Sequence, residues 1–430
     1  MTTVDAPLSQ RAARPVALSL YSGGGGLDYG IEAAGFRVAV ATDFDHDSCE
    51  TLRQNGSGAV IERSIFDLPT DELLAEGGLE AGEADLLIGG PPCQPFSKSG
   101  YWARGDTLRL LDPRADTLAA YLRVLEEARP RAFLFENVDA MEFAQKSEGL
   151  HFLLRAVEEV NGRAGTRYQP SVRVVNAADF GVPQTRKRLF VVAARDGTPF
   201  RFPQNLGEIV PGEQPRTASD GTTYYRSAWD ALADVAPAQD EDLRLRGKWA
   251  ALLPSIPEGH NYLWHTDRGG GLPLFGWRRR YWGFLLKLAK DRPAWTIQAQ
   301  PGPAIGPFHW TSRRLSQREL CRLQTFPDRV EIVGNRQSVQ RQLGNAVPSL
   351  LAEILGREIV AQLLGRPAPS DPPTLLPPRH EPVPPPEPVA EVPRQYQSLA
   401  GSHAPHPGTG RGPAAAAWRE RHGQIAHTRT

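Results

Sequence analysis

The sequence predicts an α/β fold, a mixed sheet with helices on both faces, joined to a smaller irregular domain. Three observations predict it. Between residue 16 and about 204, short apolar runs alternate with amphipathic helical stretches. A glycine turn, Ser22-Gly23-Gly24-Gly25-Gly26, joins the first apolar run to the first helix. A second turn, Gly89-Gly90-Pro91-Pro92, ends another apolar run and leaves Cys93 beyond a strand end, the edge where open α/β sheets collect their chemistry.

The elements follow in order. Residues 1–14 read as a loose arm. Residues 16–21 (VALSLY) make a strand, and 27–36 (LDYGIEAAGF) a helix with Leu27, Ile31 and Ala34 on one face. Residues 37–42 form a second strand ending at Asp43, 46–55 a helix, and 59–61 a third strand. The run 84–88 reads as a buried strand. An amphipathic helix at 116–127, a strand at 132–135, a helix at 150–160 and strands at 172–175 and 189–193 complete the series. From 204 to about 292 the chain is rich in Gly, Pro, Trp and Arg with weak periodicity, which predicts the irregular domain. Helices are expected at 315–323 and 349–364. After Gly365 the Pro-rich run PAPSDPPTLLPPRHEPVPPPEPVAEVP predicts a polyproline-like or disordered tail, removable after about 370 without loss of activity. The expected domains are 1–14, 15–204, 205–312, 313–365 and 366–430.

At 430 residues the chain can hold two or more cores. Lys+Arg and Asp+Glu both number 49, so net charge does not point to a polyanion, although a basic cleft can sit inside a neutral total. Cys49, Cys93 and Cys321 lie far apart with no CxxC pair, which argues against zinc or a disulfide framework and fits a reducing cytosol. No metal is expected. No apolar run is long enough to span a bilayer, and the N-terminus has no signal-like core. A soluble protein of the cytoplasm is expected.

Each chemical candidate has a plain alternative. Cys93 on a proline-stiffened loop is a potential nucleophile; a solitary Cys is otherwise core. The glycine loop is either a nucleotide cradle or a tight turn. Asp43 stands where an acid meets a ribose hydroxyl, or it caps the next helix. Glu136, ending the run FLFENV, is a buried acid or a solvated charge. Gln184, Arg186 and Arg188 alternate onto one face of an extended segment, as a site or as a basic edge. Arg278, Arg279 and Arg280, beside Trp277, Tyr281 and Trp282, suit phosphate or guanine contacts, or pack as aromatics with solvated arginines. Cys321 is helical and reads as core.

These segments resemble, in order, the motifs of the DNA cytosine-5 methyltransferases: LSLYSGGGGLDYGIEAAGF, GGPPCQPFS, FLFENVDA, DFGVPQTRKRLF, RRLSQRELCRLQTFPD and QLGNAVP. The resemblance covers 16–204 and 293–364. It implies the Rossmann-like fold of S-adenosylmethionine-dependent methyltransferases, with a target-recognition domain near 205–292. It implies that S-adenosyl-L-methionine is held by Tyr21, Gly23, Gly25, Gly26, Leu27, Asp43, Phe44, Ser64, Ile65, Pro92, Leu118, Asn345 and Val347, leaving S-adenosyl-L-homocysteine. Tyr21 stands where the family usually has Phe, and Ser64-Ile65 where an Asp commonly meets the adenine amine.

For catalysis the resemblance implies a Cys93 thiolate adding to cytosine C6 and Glu136 at N3 and the exocyclic amine. Arg186 is then at O2 and orients the acid, and Arg188 holds the nucleophile loop. Gln94, Ser97, Asn137, Gln184 and the 278–280 arginines are the expected substrate contacts, and the loop at 98–109 is expected to close over DNA. The expected partner is double-stranded DNA, read by a two-sided cleft that takes a flipped cytosine, with a cognate restriction endonuclease or defence-system protein as a non-obligate partner. A monomer, nucleoid-associated through its DNA, is expected. The rival readings are an RNA cytosine methyltransferase, disfavoured by the long 205–292 insert, and a silent DNA-binding relative, disfavoured by the presence of Cys93, Glu136 and the glycine loop.

Overall fold

Parallel pairing sets the frame in a computed structural model that describes residues 14–56, 58–92, 116–141, 148–204, 225–236, 241–278, 281–367 and 371–403. Strand β1 (Val16–Leu20) lies between β2 (Arg37–Asp43) and β4 (Leu86–Gly89), all parallel. Strands β3 (Ala59–Glu62) and β5 (Ala132–Val138) extend the parallel part on either side. Strand β7 (Lys187–Ala194) is antiparallel to both β5 and β6 (Ser171–Asn176), which gives the seven-stranded order β3-β2-β1-β4-β5-β7-β6. The strands read from the sequence are all present, with small shifts at their ends.

Register makes one edge of this sheet the working edge. Leu20 pairs with both Thr42 and Gly89, and Gly89 pairs with Phe135. The residues that follow, the glycine turn, Asp43, Gly90 and Glu136, therefore emerge side by side. Alternation along β5 sends Ala132 and Leu134 into one core layer and Phe133 and Phe135 into the other. Two-sided burial of this kind is why these strands read as near-continuous apolar runs.

Helices α1 (Gly26–Ala33) and α9 (Ser349–Leu363) pack in the first layer. A Cβ on Gly30 would collide with the Ser349 carbonyl, so glycine permits this close approach. Helices α3 (Thr70–Glu76), α4 (Asp116–Ala128) and α5 (Glu148–Ala164) cover the second layer, and α2 (His46–Asn55) links β2 to β3. Helices α3 and α8 (Arg336–Asn345) were not anticipated. The first is short, and the second, RQSVQRQLGN, buries Val339 and Leu343 among mostly polar residues. Helices α6 (Ala228–Leu232) and α7 (Gln317–Leu323) lie between them in the chain.

The domain limits differ from those expected. The chain divides into a first unit (residues 1–235, 298–300 and 317–380) and a second (236–297, 301–316 and 381–430). The second has little regular structure and is built on Leu252, Leu253, Ile256, Tyr262, Leu285 and Phe308. Among the described residues, no helix is long and apolar enough to cross a membrane.

The expectation of a disordered tail from 366 is corrected for 371–403. In the first unit, the fully buried Glu353 accepts from the N–H groups of Thr374 and Leu375 at 2.7 and 2.9 Å, and Arg357 donates to the Asp371 carbonyl at 2.6 Å. In the second unit, Lys290 Nζ meets Glu258 at 2.7 Å, Glu387 at 3.0 Å and the Pro385 carbonyl at 3.1 Å. There the Tyr396 ring stacks on Trp249 with centroids 5.7 Å apart. Proline removes N–H donors but keeps carbonyl acceptors, and buried Arg and Lys side chains use those acceptors. Removal after about 370 is accordingly no longer expected to be silent.

Candidate active site

The glycine loop is shaped by positive φ. Tyr21, Gly23 and Gly25 lie at φ 55, 53 and 85, and Gly25 is the N-cap of α1. The Tyr21 hydroxyl donates to the Thr117 carbonyl at 2.6 Å, which ties the loop to α4, and burial pushes its ionisation upward. A Cβ on Gly26 would strike the Val347 carbonyl, so the start of α1 and the segment before α9 meet there. Leu27 turns into the first core layer.

Asp43 closes the opposite side of the loop. Its carboxylate accepts from the Gly23 N–H at 2.8 Å and the Asp45 N–H at 2.9 Å. Burial raises its pKa, and these backbone donors pull it back. The helix-capping alternative belongs to Asp45 instead, which accepts from the Ser48 N–H at 3.1 Å. Phe44 follows with 74% of its surface exposed. An exposed phenyl beside a half-buried acid and a glycine cradle fits the adenosine and methionine parts of S-adenosyl-L-methionine: aromatic stacking for the base, a carboxylate for ribose hydroxyls, helix N–H groups for a carboxylate.

Other expected cofactor residues are placed differently. Ile65 and Leu118 have side chains buried in the second core layer, so a contact from either would come from backbone. Ser64 is half-buried with its hydroxyl accepting from the Phe66 N–H at 3.4 Å. Pro92 and Asn345 are exposed, the latter as the last residue of α8. Helix α8 is also held near the loop, a role not read from the sequence. Gln342 Oε1 accepts from the Thr51 hydroxyl at 2.8 Å, and Arg341 pairs with Asp45 at 2.7 Å.

Glu136 is 8% exposed at the end of β5, and its Oε1 pairs with Arg188 Nε at 2.9 Å. Antiparallel register explains the pair: Phe190 faces Glu136, and Arg188 lies two residues along the same face. Burial pushes the Glu136 carboxyl above its ordinary range, while Arg188 and then Arg186 pull it down. A Cβ on Gly90 would come 2.7 Å from Glu136 Oε2, so the Gly-Pro-Pro turn lies directly against this carboxyl. Asn137 donates to the Pro91 carbonyl at 3.2 Å and so holds that turn; this amide is engaged with the loop.

The basic segment is corrected in two respects. Arg186 is fully buried and donates to the Gly344 carbonyl at 2.7 Å, so orientation of the acid falls to Arg188. Burial, with Arg188 alongside, pulls Arg186 down to about 9. Gln184, expected at the DNA, is buried and donates to the Leu323 carbonyl at 3.2 Å and Gln324 Oε1 at 3.0 Å. It ties the segment to the end of α7 because it precedes the regular part of β7. Cys93, Gln94, Ser97, the 98–109 loop, Arg279 and Arg280 lie outside the described residues. Arg278 lies in the second unit with its guanidinium 5.4 Å from the Tyr281 ring.

Comparison with known proteins places the chain in a family. The family model described as C-5 cytosine-specific DNA methylase matches residues 16–361. The Streptomyces achromogenes Type II methyltransferase M.SacI is 40% identical over 371 residues, covering 80% of this chain and 93% of the relative. Type II methyltransferase M.NgoFVII of Neisseria gonorrhoeae is 31% identical over 347 residues, covering 79% and 85%. Among solved structures, a Spodoptera frugiperda DNMT2 mutant shares the fold at 16% identity and TM-score 0.54, covering 80% of this chain and 99% of that one. A glycine cradle and a buried Glu136 on one sheet edge are thus found in a chain whose match runs through both, and this chain belongs to the C-5 cytosine-specific DNA methylases, enzymes that methylate cytosine in DNA.

Proposed function

We propose that the chain methylates C5 of a cytosine flipped out of a specific short duplex sequence, through a covalent bond between Cys93 Sγ and C6. The observation that carries this reading is the Glu136–Arg188 pair lying against the turn that leads into Cys93. Cytosine C5 is too weak a nucleophile to take a methyl group unaided. Thiolate addition to C6 opens the C5–C6 double bond, and protonation at N3 by Glu136 keeps the electrons available at C5. A carboxyl raised by burial suits that proton transfer near neutral pH. After methylation, loss of the C5 proton and expulsion of the Cys93 thiolate restore the ring.

S-adenosyl-L-methionine, when bound, supplies an electrophilic methyl on sulfur. The open side of the glycine turn at Gly23 and the start of α1 would hold it, with Asp43 at the ribose hydroxyls and the Phe44 ring as a stacking face. Arg188 fixes the acid, and Asn137 fixes the turn before Cys93. The flipped base costs a few kcal/mol of unstacking, which DNA contacts from the second unit offset. The relatives are named as Type II methyltransferases, and protection of host DNA in a restriction-modification system is the role proposed for this chain.

The test is transfer of tritiated methyl to unmodified genomic DNA, with bisulfite sequencing, for wild type and Cys93→Ala. Labelled cytosines in one short context, absent with the variant, are expected. A duplex carrying 5-fluorocytosine at that position should trap a covalent complex, since fluorine cannot leave as a proton does. Turnover by Cys93→Ala would remove the thiol step. Glu136→Gln should slow transfer roughly 10²–10⁴-fold.

A further inference from the structure

Trp282, in the second unit, is 58% exposed. It is not on a loosely held loop. Its carbonyl accepts from the Asn261 side chain at 3.0 Å, and the Phe284 carbonyl accepts from the Tyr262 N–H at 3.1 Å. The Tyr262 hydroxyl donates to the Arg278 carbonyl at 2.7 Å and accepts from the Arg278 N–H at 3.0 Å. Asn261 and Tyr262 are themselves buried, so Arg278 and the 282–284 stretch that bears Trp282 are each bonded to a buried anchor.

The ring also has a backing. Trp295 stacks on it with centroids 5.9 Å apart and planes 30° from parallel. With one ring partner among the described residues and 58% exposure, the stack is open-ended. Cations stand over neighbouring rings of the same segment: Arg278 is 5.4 Å from the Tyr281 ring, and Arg268 is 4.2 Å from the Trp277 ring. A pre-set aromatic face among arginines matches a planar base with its phosphates. A purely apolar partner would leave those charges desolvated.

We propose that Trp282, backed by Trp295, is a stacking platform for an unstacked base of the DNA substrate, with Arg268 and Arg278 meeting the adjoining phosphates. The proposal rests on the reading that the second unit contacts DNA. It assigns Trp282 a role distinct from reading base edges: the indole takes a π-face, and so favours sites where a base leaves the stack cheaply.

The test uses the full-length enzyme and the duplex identified by methyl transfer, with each base near the target replaced in turn by an abasic analogue. Loss of one stacked base costs about 5- to 150-fold in affinity, and Trp282→Ala should weaken binding by that range. Trp282→Phe should restore most of it, and Trp282→Leu should not. One abasic position should abolish the difference between wild type and Trp282→Ala. Leu rescuing as well as Phe, or no abasic position removing the difference, would overturn stacking. Arg278→Ala separates the two readings. If it weakens binding and flattens the salt dependence while Trp282→Ala is silent, stacking is overturned and DNA contact by this unit stands. If both are silent, the contact itself is overturned.

Discussion

Glu353→Ala tests whether the Pro-rich segment is part of the folded first unit. Glu353 is 0% exposed, and its carboxylate accepts from Arg357 Nε and Nη2 at 3.1 and 2.6 Å. It also accepts from the Thr374 N–H and hydroxyl at 2.7 and 3.1 Å and the Leu375 N–H at 2.9 Å. Alanine leaves a nearly buried guanidinium, two backbone donors and a hydroxyl without their acceptor. Breaking a buried pair from one side costs about 3–5 kcal/mol. The donors can regain water only if 371–376 peels away, which forfeits the packing of Leu375 and Leu376 on the first core layer. At 2–4 °C per kcal/mol the melting temperature should fall by roughly 6–20 °C. New proteolytic cleavage within 366–380 should appear at temperatures where wild type resists. Glu353→Gln, which keeps shape and one acceptor oxygen, should fall between. A shift under about 2 °C with no new cleavage would refute the reasoning, because it would mean the carboxylate does not hold the segment.

Gly90→Ala places a methyl against Glu136 Oε2, which Arg188 already pins, so kcat should drop up to roughly 10²-fold at unchanged melting temperature; an unchanged kcat would show that the turn does not bear on the acid. Gly26→Ala drives a Cβ into the Val347 carbonyl, costing about 1–3 kcal/mol of stability, and calorimetry should show S-adenosyl-L-methionine affinity lost with it; wild-type affinity would separate the α1 start from the cofactor. The protonated form of Glu136 is the proposed acid, so kcat/KM should fall as pH rises through its raised pKa. Arg188→Gln removes the larger of the two charges that lower this pKa, and the falling limb should move to higher pH; a limb that stays put or moves down would exclude Glu136 as the titrating acid.

The local alphabet of this chain was enough for much of its plan. Alternating apolar runs gave each strand, because burial on both faces leaves little else that β1, β4 and β5 could be. Turn chemistry located the glycine loop and the Gly-Pro-Pro turn, since positive φ and proline leave a mark in composition. Asp43 and Glu136 were found as strand-end acids for the same local reason. What depended on distant segments was not legible. The sequence cannot say that β7 runs antiparallel to β5, and that register alone gives Arg188 to Glu136 and leaves Arg186 to the Gly344 carbonyl. Gln184 reads as a polar residue at a basic edge; only the packing of α7 shows its amide to be occupied. Helix α8 has too few apolar residues to announce itself and is ordered by Thr51 and Asp45. The proline-rich segment was misread because composition counts what a segment can bury by itself. Tertiary structure supplied the missing term: carboxylates and cations already buried elsewhere, for which the segment provides the remaining donors and acceptors.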